Sequence, residues 1–184
     1  LGNKLLQIYA ENDDCDCIEY AVDMSNLAMV FDRLQLYPQA EKYYKQAAEL
    51  KKRCGGESLS YADTLNNLAI VYNQTNRQTE ALRLHRKVLE IREAKLGREH
   101  ADFLHSLYHI GNTYELLGEY DKAIDYHAMA LRNNTFSTLE LADVHGALAR
   151  AYEAKGNYKK AIYYYEICLD LIEKARGCDT FYYM

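Results

Sequence analysis

Four alanines, Ala40, Ala81, Ala123 and Ala161, each stand 12 residues after a small residue: Ala28, Ala69, Gly111 and Ala149. Each small residue is followed three positions on by an aromatic: Phe31, Tyr72, Tyr114 and Tyr152. The intervals between the alanines are 41, 42 and 38 residues, so one structural unit is copied with small changes in length. A chain built this way buries its apolar faces between neighbouring copies, and its function is to be sought on a surface that the copies share.

The unit can be read from its periodicity. Leu65, Leu68, Ala69 and Tyr72 fall at i, i+3, i+4 and i+7, which is one stripe of an α-helix. The same stripe recurs as Met24, Leu27, Ala28, Phe31, as Leu107, Ile110, Gly111, Tyr114, and as His145, Leu148, Ala149, Tyr152. A polar break follows each stripe, and a second helix then starts around the recurring alanine. Small residues facing each other, such as Ala69 and Ala81, let the two helices of a hairpin approach closely while the aromatic fills the adjacent gap. Gly118 and Gly156 suit the left-handed turn that ends a helix, and Pro38 suits the first turn of the next one.

The order small residue, aromatic, glycine, tyrosine, alanine resembles the tetratricopeptide repeat family. The stretches that carry the resemblance best are Ile110-Gly-Asn-Thr-Tyr-Glu-Leu-Leu-Gly-Glu-Tyr-Asp-Lys-Ala-Ile124 and Leu148-Ala-Arg-Ala-Tyr-Glu-Ala-Lys-Gly-Asn-Tyr-Lys-Lys-Ala-Ile162. A typical repeat of that family has about 34 residues. The longer copies here, with Leu65-Asn-Asn-Leu-Ala-Ile-Val-Tyr72 and Leu89-Glu-Ile-Arg92, resemble the long-repeat variety of kinesin light chains. The resemblance implies an all-α fold, a right-handed α-solenoid of stacked antiparallel helix hairpins.

Four hairpins are expected within residues 12–176, at about 16–54, 58–96, 99–133 and 136–176. Leu5-Leu-Gln-Ile8 aligns with Val88-Leu-Glu-Ile91, so residues 1–11 read as the tail of a preceding second helix. Residues 177–184 read as the start of a truncated next repeat or a tail. Neither end reads as a polar capping helix, which points to a segment of a longer array or to ends that pack on something else.

With 49% hydrophobic and 27% charged residues, the composition is that of an ordinary globular chain. No apolar run reaches the length of a membrane span and no signal peptide is visible, so no membrane partner is expected. A net charge of −5 argues against nucleic acid, which needs a basic field. The cluster Lys51-Lys-Arg53 reads as a solvated helix C-terminus. Five cysteines, at 15, 17, 54, 168 and 178, have no framework spacing; free thiols and a cytoplasmic location are expected.

No phosphate-cradling glycine loop, metalloprotease helix or serine elbow occurs, so no catalytic residue and no cofactor is assigned, and the chain is read as a non-enzyme. Asp13-Asp-Cys-Asp-Cys17 holds too few local sulfurs for a finger-type metal site and reads as an acidic loop. His105 and His109 share a helix face, but His145, the nearest third ligand, lies in a packing stripe; the pair reads as groove-lining rather than metal-binding.

In the family the first helices line a concave groove. Transferred residue by residue, the resemblance implies a binding wall that includes Asn26, Met29 and Arg33 in the first copy. In the second it includes Asn66, Asn67, Ile70 and Asn73, in the third His105, Tyr108, His109 and Asn112, and in the fourth Arg150. An Asn amide both donates and accepts, so it can bond the backbone of an extended peptide whatever that peptide's side chains are. Acidic wall positions (Asp32, Asp63, Glu115, Asp143, Glu153) outnumber the basic ones (Arg33, Arg150), which disfavours acidic ligands. The expected partner is therefore a protein or extended peptide, neutral to mildly basic, bound by an adaptor or scaffold. The alternatives are self-association through uncapped ends as a structural segment of a longer array, and a regulatory peptide-sensing module of a larger protein.

Overall fold

Turn chemistry divides the chain into helices at nearly regular spacing. In the computed structural model, which describes residues 16–132 and 136–176, there are eight among the described residues: α1 (Asp16–Arg33), α2 (Tyr37–Gly55), α3 (Leu59–Gln74), α4 (Gln78–Leu96), α5 (Ala101–Leu116), α6 (Tyr120–Ala130), α7 (Thr138–Ala154) and α8 (Tyr158–Arg176). The expectations for residues 1–11 and 177–184 lie outside the described residues. Ser58 caps α3, its hydroxyl accepting from the Tyr61 N–H, and Ser137 with Glu140 forms a reciprocal capping box at α7. Pro38 lies in the first turn of α2.

All four hairpins turn on the same backbone bond. The carbonyl of the stripe aromatic accepts an N–H five residues on: Leu36 to Phe31 at 2.8 Å, Arg77 to Tyr72 at 2.8 Å, Glu119 to Tyr114 at 2.9 Å and Asn157 to Tyr152 at 2.9 Å. This closure forces the preceding residue into the left-handed region. Gly118 and Gly156 take it with φ of 73° and 74°, while Gln35 and Asn76 take it at 58° without glycine's freedom.

The described residues form two compact units, divided between Lys95 and Leu96. In the first, Ala28, Ala40, Ala69 and Ala81 are fully buried where the helices meet, and one cluster joins them to Tyr44, Leu68, Val71 and Tyr72. A second cluster gathers Ala48, Tyr61, Ala62, Leu65, Val88 and Ile91. In the second unit the corresponding small residues are Gly111, Ala123, Ala149 and Ala161, all buried. An aromatic pair closes three of the hairpins at a fixed 12-residue offset. Phe31 stacks on Tyr43 at 5.6 Å, Tyr114 on Tyr126 at 5.4 Å and Tyr152 on Tyr164 at 5.5 Å. In the hairpin of α3 and α4 the offset reaches Leu84, and the Arg77 guanidinium instead covers the Tyr72 ring at 4.0 Å.

Two expectations from the sequence are corrected. Cys17 and Cys54 are disulfide-bonded, with Cα atoms 6.7 Å apart; Cys168 is free, and Cys15 and Cys178 lie outside the described residues. An antiparallel hairpin brings the first turn of α1 beside the last turn of α2, so residues 37 apart in sequence become neighbours. The argument from free thiols to a reducing compartment falls away with that pair. Lys51 is also no solvated helix end. It is buried because it continues the Tyr44, Ala48 line of α2 that faces α3, where its ammonium donates to Thr64 Oγ1 at 2.8 Å. Burial lowers its pKa.

Candidate binding face

In the first unit the candidate residues stand on α1 and α3. Asn26, Met29 and Arg33 are exposed on α1, and Ile70 and Asn73 are half-buried on α3. Asn67 is also half-buried, and its amide shares a hydrogen bond with the Tyr44 phenol. The phenol is pushed up to about 12, chiefly by burial and further by the Asp32 carboxylate. Asn66 is buried and its Oδ1 has no protein partner. The two helices approach where Ser25 Oγ lies 3.3 Å from Thr64 Oγ1. Thus the candidates Asn66 and Asn67 take part in packing, while Asn26 and Met29 are open to solvent.

In the second unit the candidates stand on α5 and α7. His105 Nε2 lies 3.0 Å from Glu140 Oε1, and its ring packs on Phe136 at 4.8 Å. The Glu140 carboxyl is held below the usual range, first by the Ser137 hydrogen bonds and then by His105. His105, Tyr108, Phe136, Glu140, Asp143 and Val144 line a notch of about 30 Å³. His109 packs beside Tyr108 at 5.7 Å, so the two histidines have different neighbours. Asn112 is half-buried with an unpartnered Oδ1. Arg150 is exposed, and its Nε donates to Glu115 Oε2 at 3.4 Å.

Glu115 carries a second contact that explains Gly111. The buried His127 ring presses against the α5 backbone so closely that a Cβ on Gly111 would lie 2.5–2.9 Å from three of its atoms. A carboxylate only accepts, so His127 Nε2 carries the proton and donates to Glu115 Oε1 at 2.9 Å.

The geometry revises the charge balance read from sequence. Arg92, buried on α4, donates to Asp63 at 2.7 Å, and the Tyr165 hydroxyl donates to Glu153 at 2.9 Å. With Glu115 shared by His127 and Arg150, three of the five wall carboxylates have partners within the fold. Arg92 was invisible as a partner of Asp63 because it belongs to a second helix, and only packing brings the two together. A hollow of about 510 Å³ lies elsewhere, on α4 between Thr79 and Glu90 with Arg83, Arg86 and Lys87.

Family models described as "Tetratricopeptide repeat" match residues 20–94 and 60–135, and another of the same description matches 144–179. No curated protein matches the sequence. Among solved structures, BtubC (BKLC) from P. vanneervenii is similar at 21% identity, with 100% of this chain and 75% of that one covered and a TM-score of 0.82. A putative kinesin light chain of Podosopora anserina with nearly identical TPR-like repeats is similar at 20% identity, with coverage of 96% and 85% and a TM-score of 0.74. MamA is similar at 17% identity, with coverage of 96% and 87% and a TM-score of 0.67. Eight helices in hairpins among the described residues, a shared hairpin closure and family matches over most of the sequence place the chain in the tetratricopeptide repeat family, with a fold similar to that of the kinesin light chain structure.

Proposed function

We propose that this chain is a non-catalytic adaptor that binds an extended, neutral to mildly basic protein segment along its first-helix faces, α1 with α3 and α5 with α7. The tetratricopeptide fold supports a role in protein interaction or scaffolding. The observation that carries the finer reading is the internal pairing of the wall carboxylates, Asp63 with Arg92, Glu115 with His127 and Arg150, and Glu153 with Tyr165. What a ligand then meets is amide and apolar surface, from Asn26, Met29, Ile70, Tyr108 and Asn112. Asp143, exposed at the notch, leaves a mild preference for a cation.

A peptide display selection against the chain tests the reading. Enriched sequences should be poor in Asp and Glu. Their affinity should fall about tenfold or more in the double variant Met29→Asp, Ile70→Asp, as expected when anchor pockets are lost. Helicity should be unchanged, and Lys42→Glu on α2 should have little effect. Acidic consensus peptides, or binding indifferent to the α1 and α3 changes, would overturn it. No described helix is long and apolar enough to cross a membrane.

A further inference from the structure

The repeat register gives each junction position several equivalents, and at two places the equivalents disagree. Within the first unit α2 receives α3: Tyr44 clusters with Leu68 and Val71, Ala48 with Tyr61 and Leu65, and Lys51 bonds Thr64. Leu68 and Val71 are 4% and 0% exposed, and Tyr44 and Ala48 are 1% and 6% exposed. The second unit repeats the junction between α6 and α7, with His127 fully buried and Leu148 and Ala151 each 1% exposed.

On α1 the positions of Leu68 and Val71 are held by Leu27 and Val30, which are 42% and 51% exposed. One turn on, Leu34 is exposed as well. On α8 the positions of Tyr44 and Ala48 are held by Tyr165 and Leu169, which are 36% and 61% exposed, and the position of Lys51 by the half-buried Ile172. The chain therefore displays both halves of a junction whose assembled form each unit contains. Leu169 and Ile172 are more apolar than the Ala48 and Lys51 they replace.

We infer that the α8 face of one copy docks on the α1 face of a second copy, reproducing the α2–α3 junction between molecules. Asp23 takes the place of Thr64 in this contact, and Lys174 and Arg176 close α8 within a turn of the matching Ile172, so the one buried polar position meets basic residues at the rim. The contact joins two different surfaces, so it is heterologous and adds copies in one direction. Its test variants, at Leu27, Val30 and Leu169, touch neither the wall residues of the proposed peptide site nor the Tyr165 bond to Glu153, so it stands or falls separately from that reading.

Sedimentation or light scattering of the 184-residue chain tests it. The weight-average mass should rise with concentration. Leu27→Asp with Val30→Asp should block one face, and Leu169→Asp the other, each giving single-chain mass at every concentration. An equimolar mixture of the two blocked forms should recover a species of two copies, because each retains the face the other has lost. Circular dichroism checks that these exposed substitutions leave the fold intact. A single-chain mass for the unaltered protein throughout, as coverage of the α1 face by residues 1–15 of the same chain would give, overturns the inference. So does association that survives both variants, or a mixture that fails to pair.

Discussion

The two units build the same hairpins from different residues. The first places Gln35 and Asn76 at the left-handed turn positions, where the second has Gly118 and Gly156. The first keeps Ala28 and Ala69 at the helix crossing; the second has Gly111 at one crossing, under His127, and Ala149 at the other. The first is also clamped by Cys17 and Cys54. The difference teaches that closure is set by the backbone bond from the stripe aromatic to the residue five on. Side chains then adapt to that turn, at a cost where they fit it poorly.

The largest effect should come from the disulfide. Replacing Cys17 and Cys54 by serine should lower the stability of the first unit by about 2–4 kcal/mol, since it frees a long loop in the unfolded chain. Hydrogen exchange should show lost protection in α1 and α2, with α5–α8 unaffected. Thiol titration under denaturing conditions should count two fewer reactive sulfurs before reduction than after it.

Next is Gly111→Ala, confined to the second unit. The added methyl group collides with the rigid His127 ring, and overpacking of this kind costs about 1–3 kcal/mol. Combining it with His127→Ala should show a strong favourable coupling in a double-mutant cycle. Additive losses would mean that the ring can move aside and that the glycine is not required by it.

Acid should act on both units, by different routes. In the first, burial raises the Glu41 carboxyl, but hydrogen bonds from Lys45 and Arg77 outweigh it and leave the pKa below 4.5. In the second, Glu140 is lowered by its capping box. A carboxylate with a depressed folded pKa stabilises above its unfolded value and loses that contribution as pH falls through the folded one. The melting temperature should hold above about pH 4.5 and fall below it. High salt should weaken the Glu41 contribution while sparing the local Glu140 cap.

The smallest effect is at the turns. Gln35→Gly should stabilise the first unit by about 0.5 kcal/mol, the relief of left-handed strain being partly offset by glycine's chain entropy. Gly118→Ala should destabilise the second by about 1 kcal/mol, for the reverse reason. Chemical denaturation resolves both, and equal effects of opposite sign would make the two turns alike after all.

The hairpins were legible in the sequence because their packing positions are local. The spacing of Ala69, Tyr72 and Ala81 fixes two helices and a turn with no knowledge of distant residues. The 12-residue interval also contains the aromatic pairing, since Tyr126 and Tyr164 follow Tyr114 and Tyr152 at that offset. The surroundings of the candidate wall were less legible. Periodicity puts Asn67 beside the packing stripe of α3, but its bond to Tyr44 depends on how α2 lies against α3. Likewise the partners of Asp63 and Glu115 come from other helices, and nothing in the spacing of the five cysteines marks Cys17 and Cys54 for pairing. Contacts between helices escape a reading made one helix at a time.

The short helix α6 has a broader consequence. It has 11 residues where α2, α4 and α8 each have 19, a difference of about 12 Å of helix at 1.5 Å per residue. Yet its hairpin closes with the turn bond common to all four and with the stacked ring pair that two of the other three share. What closes this hairpin thus lies in its first few turns beyond the bend, and where no disulfide ties the far ends, as Cys17 and Cys54 do in the first hairpin, they are arms whose length is free to drift. Natural variation and deliberate insertion should both collect there, letting an array change its reach without re-engineering its clasp.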